Sequence, residues 1–165
     1  MRVSAVDRVK DAVDRGENRR VTHTLVPLDS SQLAAAALLF VDVFNAPPWN
    51  DGWTADTAGR RLRDLLDTPG YAGSALIGTD GELVGLVGGY RQRWYDGWHF
   101  YLAEMAVARD RQHSGLGSRL LSTFLDSLDD VNGVYLLTEA RGAASGFYEK
   151  HGFRPAARQS VMTRF

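Results

Sequence analysis

Cysteine does not occur anywhere in this sequence. Disulfides, thiolate metal sites and a cysteine nucleophile are thereby excluded, and with the last goes the usual reason to expect a covalent enzyme intermediate. An excess of either charge is missing too, since 19 basic and 20 acidic side chains leave a formal net charge of -1. Such a balance offers no broad electrostatic grip on nucleic acid or an anionic membrane, although a few local side chains can still hold a small charged substrate. Long apolar runs are equally absent. None approaches the roughly 20 residues that span a bilayer, and the polar start from Met1 to Arg20 lacks the apolar stretch of a signal peptide. The four histidines fall at no metal-ligand spacing, so no metal is expected. The expected class is a cytoplasmic enzyme or binding protein, with neither nucleic acid nor membrane as partner.

What is present suits one domain able to bury a sizeable core: 165 residues, 44% of them hydrophobic, with no repeat or linker. Val3, Val6, Val9 and Val13 recur at helical spacing, so residues 1–19 read as an N-terminal extension, either a short helix or a frayed or partner-bound segment. Residues 20–165 read as the domain proper. Val21–Leu25 alternates weakly as a first strand. Asp29 or Ser30 can cap a helix over Ser31–Phe44, which Pro47-Pro48 ends. Thr54 caps a second helix with Leu62, Leu65 and Leu66 on one face, stopped at Pro69-Gly70. Ser74–Gly78 and Leu83–Tyr90 flank the hairpin dipeptide Asp80-Gly81. A second hairpin is expected to turn at Asp96-Gly97 into a strand over Trp98–Val107. Leu116, Leu120, Leu121, Phe124, Leu125 and Leu128 stripe the strongest helix. A strand over Val134–Thr138, a helix over Ala143–Lys150 and a last strand over Arg158–Thr163 complete the chain. The order β-α-α-β-β-β-α-β-α-β predicts an α/β (α+β) fold with a mixed sheet and helices on both faces. It includes a right-handed β-α-β crossover over Trp98–Thr138.

Between strand and strongest helix stands Gln112-His113-Ser114-Gly115-Leu116-Gly117-Ser118. A glycine-containing loop that opens a helix presents free amides and the positive end of the helix dipole, which together suit a phosphate. Gly115 and Gly117 leave room for a diphosphate near the backbone, and Gln112 can act as a neutral donor. Neither dinucleotide nor nucleoside-triphosphate glycine motif is present. Farther along, the run Phe147-Tyr148-Glu149-Lys150-His151-Gly152-Phe153 places two aromatics on a short helix that Gly152 is positioned to end.

Gln-x-x-Gly-x-Gly after Val107, with Phe-Tyr-Glu-Lys-x-Gly-Phe at this distance beyond it, resembles the two acetyl-CoA signatures of the GNAT N-acetyltransferases, over about Val21–Thr163. The resemblance implies a mostly antiparallel sheet of six to seven strands, an acyltransferase activity, and acetyl-CoA (coenzyme A) as cofactor. It implies that the pantetheine arm pairs with the backbone around Met105, Ala106 and Val107, and that the diphosphate sits on Gln112, His113, Ser114, Gly115, Leu116, Gly117 and Ser118. Tyr148 would meet the coenzyme and donate a proton to its departing thiolate, and the amide near Met105 would stabilise the acetyl oxygen. Two departures stand out: His113 and Ser114 replace the family's usual glycine and basic residue. Arg141 stands where the family often has asparagine, and it is given no catalytic role.

Aminolysis of a thioester needs a neutral amine, which a nearby carboxylate can supply directly or through water. Glu104 is the candidate base or amine anchor, against a solvent-facing or ion-paired structural role. Tyr101, on the same strand, is the second candidate, as an organiser of water. Trp49 and Trp53, together with Trp98 and its neighbours Trp94, Tyr95 and His99, read as an aromatic acceptor pocket or as packing aromatics. Asn50, Asp51 and Asp96 are further polar candidates. The expected partner is a small amine, cationic in water; an aminoglycoside, a polyamine, an amino acid and a protein amine all stay open. So does an acyl-CoA-binding regulator without turnover, an adaptor that docks through exposed aromatics, and a homodimer.

Overall fold

The computed structural model describes residues 23–164. The extension over residues 1–19, and Val21 of the expected first strand, lie outside the described residues. Five strands make one sheet in chain order: β1 (Thr24–Pro27), β2 (Tyr71–Ile77), β3 (Leu83–Trp94), β4 (Gly97–Val107) and β5 (Gly133–Leu136). The first four pair antiparallel, and β5 runs parallel to β4. Among the described residues four α-helices flank the sheet: α1 (Leu33–Phe44), α2 (Ala55–Leu66), α3 (Leu116–Asp126) and α4 (Ala143–Lys150).

Local chemistry accounts for most element ends. Asp29 caps a short 3-10 turn over Ser30–Gln32 that leads into α1, its carboxylate accepting from the Ser31 amide at 2.7 Å. Thr54 and Thr57 form a reciprocal capping box at the start of α2. Asn45 then clamps the intervening loop: its side chain accepts from the Trp53 amide and donates to the Trp53 carbonyl, at 2.9 and 2.8 Å. At the first hairpin Gly81 takes a φ of +83°, open to glycine without strain.

Two apolar layers enclose the sheet. On one face Ala36, Phe40, Ala58 and Leu62 of α1 and α2 pack with Ala75, Leu86 and Ala106. On the other, Leu120, Leu121 and Phe124 of α3 and Phe147 of α4 pack with Leu76, Val87, Phe100 and Leu102. Each large aliphatic or aromatic side chain fully buried here contributes about 1.5–3 kcal/mol relative to exposure.

Three expectations need correction. The sheet has five strands among the described residues, not six to seven. No strand forms over Arg158–Thr163, so the element order stops at α4 without the last β. That segment carries two adjacent apolar residues, Val161 and Met162, which a strand would point to opposite faces. Both are exposed, and nothing offsets the entropy of ordering them. The second hairpin turns at Tyr95-Asp96, with Trp94 opposite Gly97. Gly97 is already the first residue of β4, and Asn132 donates to the Asp96 carbonyl. No helix among the described residues is long and apolar enough to cross a membrane.

Candidate functional site

The site grows from an irregularity in β4. Gly88 pairs with Glu104 but Gly89 pairs with Leu102, so Ala103 is the extra residue of a bulge. Phe100 and Leu102, before it, belong to the α3 layer, whereas Ala106, after it, belongs to the α1–α2 layer. The bulge therefore brings Glu104 onto the face of Tyr101, three residues earlier, which strict alternation would place opposite.

On the other edge of β4, pairing with β5 ends at Leu102–Leu136. The Ala108 amide donates to the Val84 carbonyl of β3. Backbone groups alternate along a strand, so those of Met105 and Val107 point away from β3 into the opening. That opening is one end of a cleft of about 930 Å³.

The loop beyond β4 forms the next wall. His113 and Gly115 both adopt left-handed backbone, at φ +60° and +85°. The conformation explains what a glycine would do at position 113; histidine accepts it at a cost of about 1–2 kcal/mol. Gly115 is the residue before α3, no side chain caps the helix, and a Cβ added there would meet no protein atom within 4 Å. Uncapped first-turn amides beside open space fit a diphosphate. Gln112 does not reach outward: its Nε2 donates to the Val107 carbonyl at 3.0 Å, closing the turn.

Tyr148 enters from α4, its ring edge-on to Phe147 and Phe153. Burial, and secondarily the negative charge of Glu104, push its hydroxyl up to about 12. The phenol therefore keeps its proton at physiological pH. Glu104 is 7% exposed. Its Oε1 accepts from Arg61 Nε at 2.8 Å and lies 2.6 Å from Arg61 Nη2. Burial raises the carboxyl above its ordinary value, and Arg61 opposes that only in part. The same burial, with Glu104 nearby, raises Tyr101.

The far end of the cleft is aromatic. Trp53 meets Phe40 edge-on at 5.1 Å and donates from Nε1 to Asp51 at 3.0 Å; Trp49 lies 5.8 Å from Phe44. Trp49, Trp53, Tyr101, Glu104, Met105, Ala106, Val107, Gln112, His113, Gly115, Gly117, Ser118 and Tyr148 all line this one cleft. Three sequence candidates do not. Ser114 turns its hydroxyl back to the Arg111 carbonyl, and Leu116 packs into the α3 layer. Trp98 lies under the Arg93 guanidinium, 3.9 Å from its ring centre, Trp94 stacks near His99, and Tyr95 is exposed, all outside the cleft. Among further guesses, Asp51 lines the cleft while Asn50, Asp96 and Arg141 do not.

Arg61 is the residue that sequence reasoning missed. It sits 43 positions from Glu104 on the same helix as Arg60 and Arg63. Of the three it alone borders the apolar stripe, three residues after Ala58 and four before Leu65, which is the signal that could have singled it out. No cluster of three acidic or histidine side chains able to hold a metal occurs among the described residues.

A family model described as Acetyltransferase (GNAT) family matches residues 34–153. No curated protein matches the sequence. Among solved structures, a protein of Clostridium difficile 630 described as a possible acetyltransferase superposes with a TM-score of 0.73 at 12% identity, covering 87% of this chain and 97% of that one. A transcriptional regulator from Bacillus halodurans C-125 gives 0.70 at 15% identity, over 87% of this chain and 100% of its own. Aminoglycoside N-acetyltransferase AAC(6')-Iy, in complex with CoA, gives 0.70 at 14% identity, over 89% and 97%. At these identities the likeness is one of fold.

Proposed function

The chain belongs to the GNAT acetyltransferase family, and on that premise we propose that it moves the acetyl group of acetyl-CoA to a small amine, cationic in water, by direct attack with both substrates bound. The observation that carries the reading is the single cleft where the uncapped start of α3, the open backbone of Met105, the Val107 amide, Tyr148 and the buried Glu104 meet. Acetyl-CoA, when bound, supplies a thioester carbonyl activated toward amines.

The chain's own groups divide the remaining work. First-turn amides from Gly115 to Ser118 hold the diphosphate. The Met105 amide faces the opening, where it can stabilise negative charge on the acetyl oxygen. Glu104, buried and raised, takes a proton from the arriving ammonium. Across the reaction the amine nitrogen forms a C–N bond, the C–S bond breaks, and one proton passes from nitrogen to sulfur. Tyr148 serves the sulfur through a hydrogen bond. Changing Tyr148→Phe is expected to lower kcat about 10–100-fold, the worth of one hydrogen bond to a charged atom, with little change in coenzyme affinity. Steady-state kinetics within twofold of the parent would remove Tyr148 from the chemistry.

Thermal unfolding with and without acetyl-CoA tests the reading as a whole. Binding to the folded state alone contributes about 2.7 kcal/mol at a hundredfold excess over Kd, so the midpoint should rise saturably. In Gly115→Asp the rise should vanish, while left-handed backbone strains the new residue by about 1–2 kcal/mol and lowers the ligand-free midpoint by roughly 2–8 °C. The new side chain meets open space, but its charge repels a diphosphate. A folded parent protein whose midpoint ignores millimolar acetyl-CoA would end this proposal.

A further inference from the structure

The acceptor end of the cleft holds a paired charge, not a lone one. Arg61 reaches Glu104 Oε1 through Nε and Nη2. A guanidinium carries five N–H donors, so Nη1 and the second hydrogen of Nη2 remain for another acceptor, and the Arg61 side chain is half exposed. Glu104 has no hydrogen-bond partner except Arg61 among the described residues, which leaves Oε2 available. Both side chains line the cleft, beside the apolar wall of Phe40, Phe44, Trp49 and Trp53.

This arrangement discriminates among amines. A simple cation approaching Glu104 also meets Arg61, whose charge already balances the carboxylate. A polycation fares worse. Two acidic side chains, Asp51 and Glu104, line the cleft against three cations, Arg61, Arg109 and Lys150, of which Arg61 is paired with Glu104 and Arg109 with Asp42. Lys150 ends α4 and Arg109 is held by Asp42 of α1; Arg61, on α2, is the cation in contact with Glu104. A zwitterion meets the pair without net charge, its ammonium toward Glu104 and its carboxylate toward Arg61 in bidentate geometry.

We propose that the acceptor is an apolar α-amino acid, with its carboxylate on Arg61, its amine at Glu104 Oε2 and its side chain against the Phe40, Phe44, Trp49 and Trp53 wall. The proposal rests on the transferase reading above and deepens it. The amine attacks as described there, and the carboxylate takes no part in bond making; it orients the nitrogen and sets KM.

Thiol release from acetyl-CoA by the full chain is compared for L-phenylalanine, L-phenylalaninamide and 2-phenylethylamine. The expected kcat/KM for L-phenylalanine exceeds both others by at least roughly tenfold, mostly through KM, because a site built for a polar group rejects ligands lacking it. Arg61→Gln should erase the preference, and Arg61→Lys should keep part of it. The parent protein supplies a second readout that needs no variant: N-acetyl-L-phenylalanine, a product retaining the carboxylate, should raise the thermal midpoint, and N-acetyl-2-phenylethylamine should not. Equal use of all three amines, or a preference that survives Arg61→Gln, overturns the amino-acid assignment alone. Thiol release with none of them, from protein that acetyl-CoA does not protect, overturns the transferase reading and this proposal with it.

Discussion

Replacing Glu104 with glutamine is expected to lower kcat/KM at pH 7 by about 10²–10³-fold, the contribution of a positioned general base. Glutamine keeps the shape of the side chain and can still meet Arg61, but it cannot take a proton from the acceptor. The loss should shrink in alkaline solution, where more of the amine arrives already neutral. With Glu104 as the proposed base, the ionised carboxylate is the working form in the parent protein, so activity should rise as pH climbs through the Glu104 titration. Because burial outweighs Arg61, that rise should lie above the ordinary glutamate value of 4.5. Stability runs the other way. A folded-state value above the unfolded one makes ionisation unfavourable to the fold, so its contribution is fully present below the unfolded value and lost as pH rises through the folded one. Glutamine should remove both dependences. Paired pH–rate profiles of parent and variant decide the matter: two parallel curves with near-equal rates would exclude Glu104 as the base.

The second large effect is structural and falls on Gly89. An alanine Cβ there would stand 1.9 Å from the Tyr101 carbonyl oxygen and 2.7 Å from the Phe100 ring. The first of these is backbone on the neighbouring strand, and it cannot yield unless β4 moves. Gly89 pairs with Leu102 immediately beside the bulge at Ala103, so the displaced segment is the one that seats Glu104. The expected destabilisation for Gly89→Ala is about 3 kcal/mol or more, at the upper end of overpacking. For a domain of this size that lowers the thermal midpoint by roughly 6–12 °C. Gly88→Ala is the internal control, because its Cβ would meet mainly the Tyr71 ring at 3.3 Å, a side chain able to give. Unfolding midpoints of the two variants should differ clearly. Equal midpoints would mean that the bulge is not held as tightly as these distances require.

Much of the cleft wall around α3 and α4 was legible in the residues themselves, because the features that build it are local. A glycine at left-handed backbone before a helix, a stripe of leucines at 3.6-residue spacing, and an aromatic pair on a short helix ended by Gly152 each act within a few positions. Order along the chain therefore predicted α1 to α4 and the strands β2 to β5 within a few residues, and it led to the loop over Gln112–Ser118 and to Tyr148. The acceptor side was legible only in fragments. Trp49 and Trp53, expected at an aromatic acceptor pocket or as packing aromatics, both line the cleft. Trp98 was singled out on the same grounds and lies elsewhere, since composition does not say which way a hairpin's aromatics turn.

What the sequence alone determined about this protein is its order of elements as far as α4, a glycine-containing loop that opens a helix, and its lack of cysteine, all properties of neighbouring residues or of residue counts. Tertiary structure alone decided three other things. The bulge at Ala103 put Tyr101 and Glu104 on one face. The pairing of Arg61 with Glu104 crossed 43 positions. Arg158–Thr163 was left without a strand partner. Each depends on register and burial between segments far apart in the chain, where a one-residue slip reverses which side chain faces the cleft.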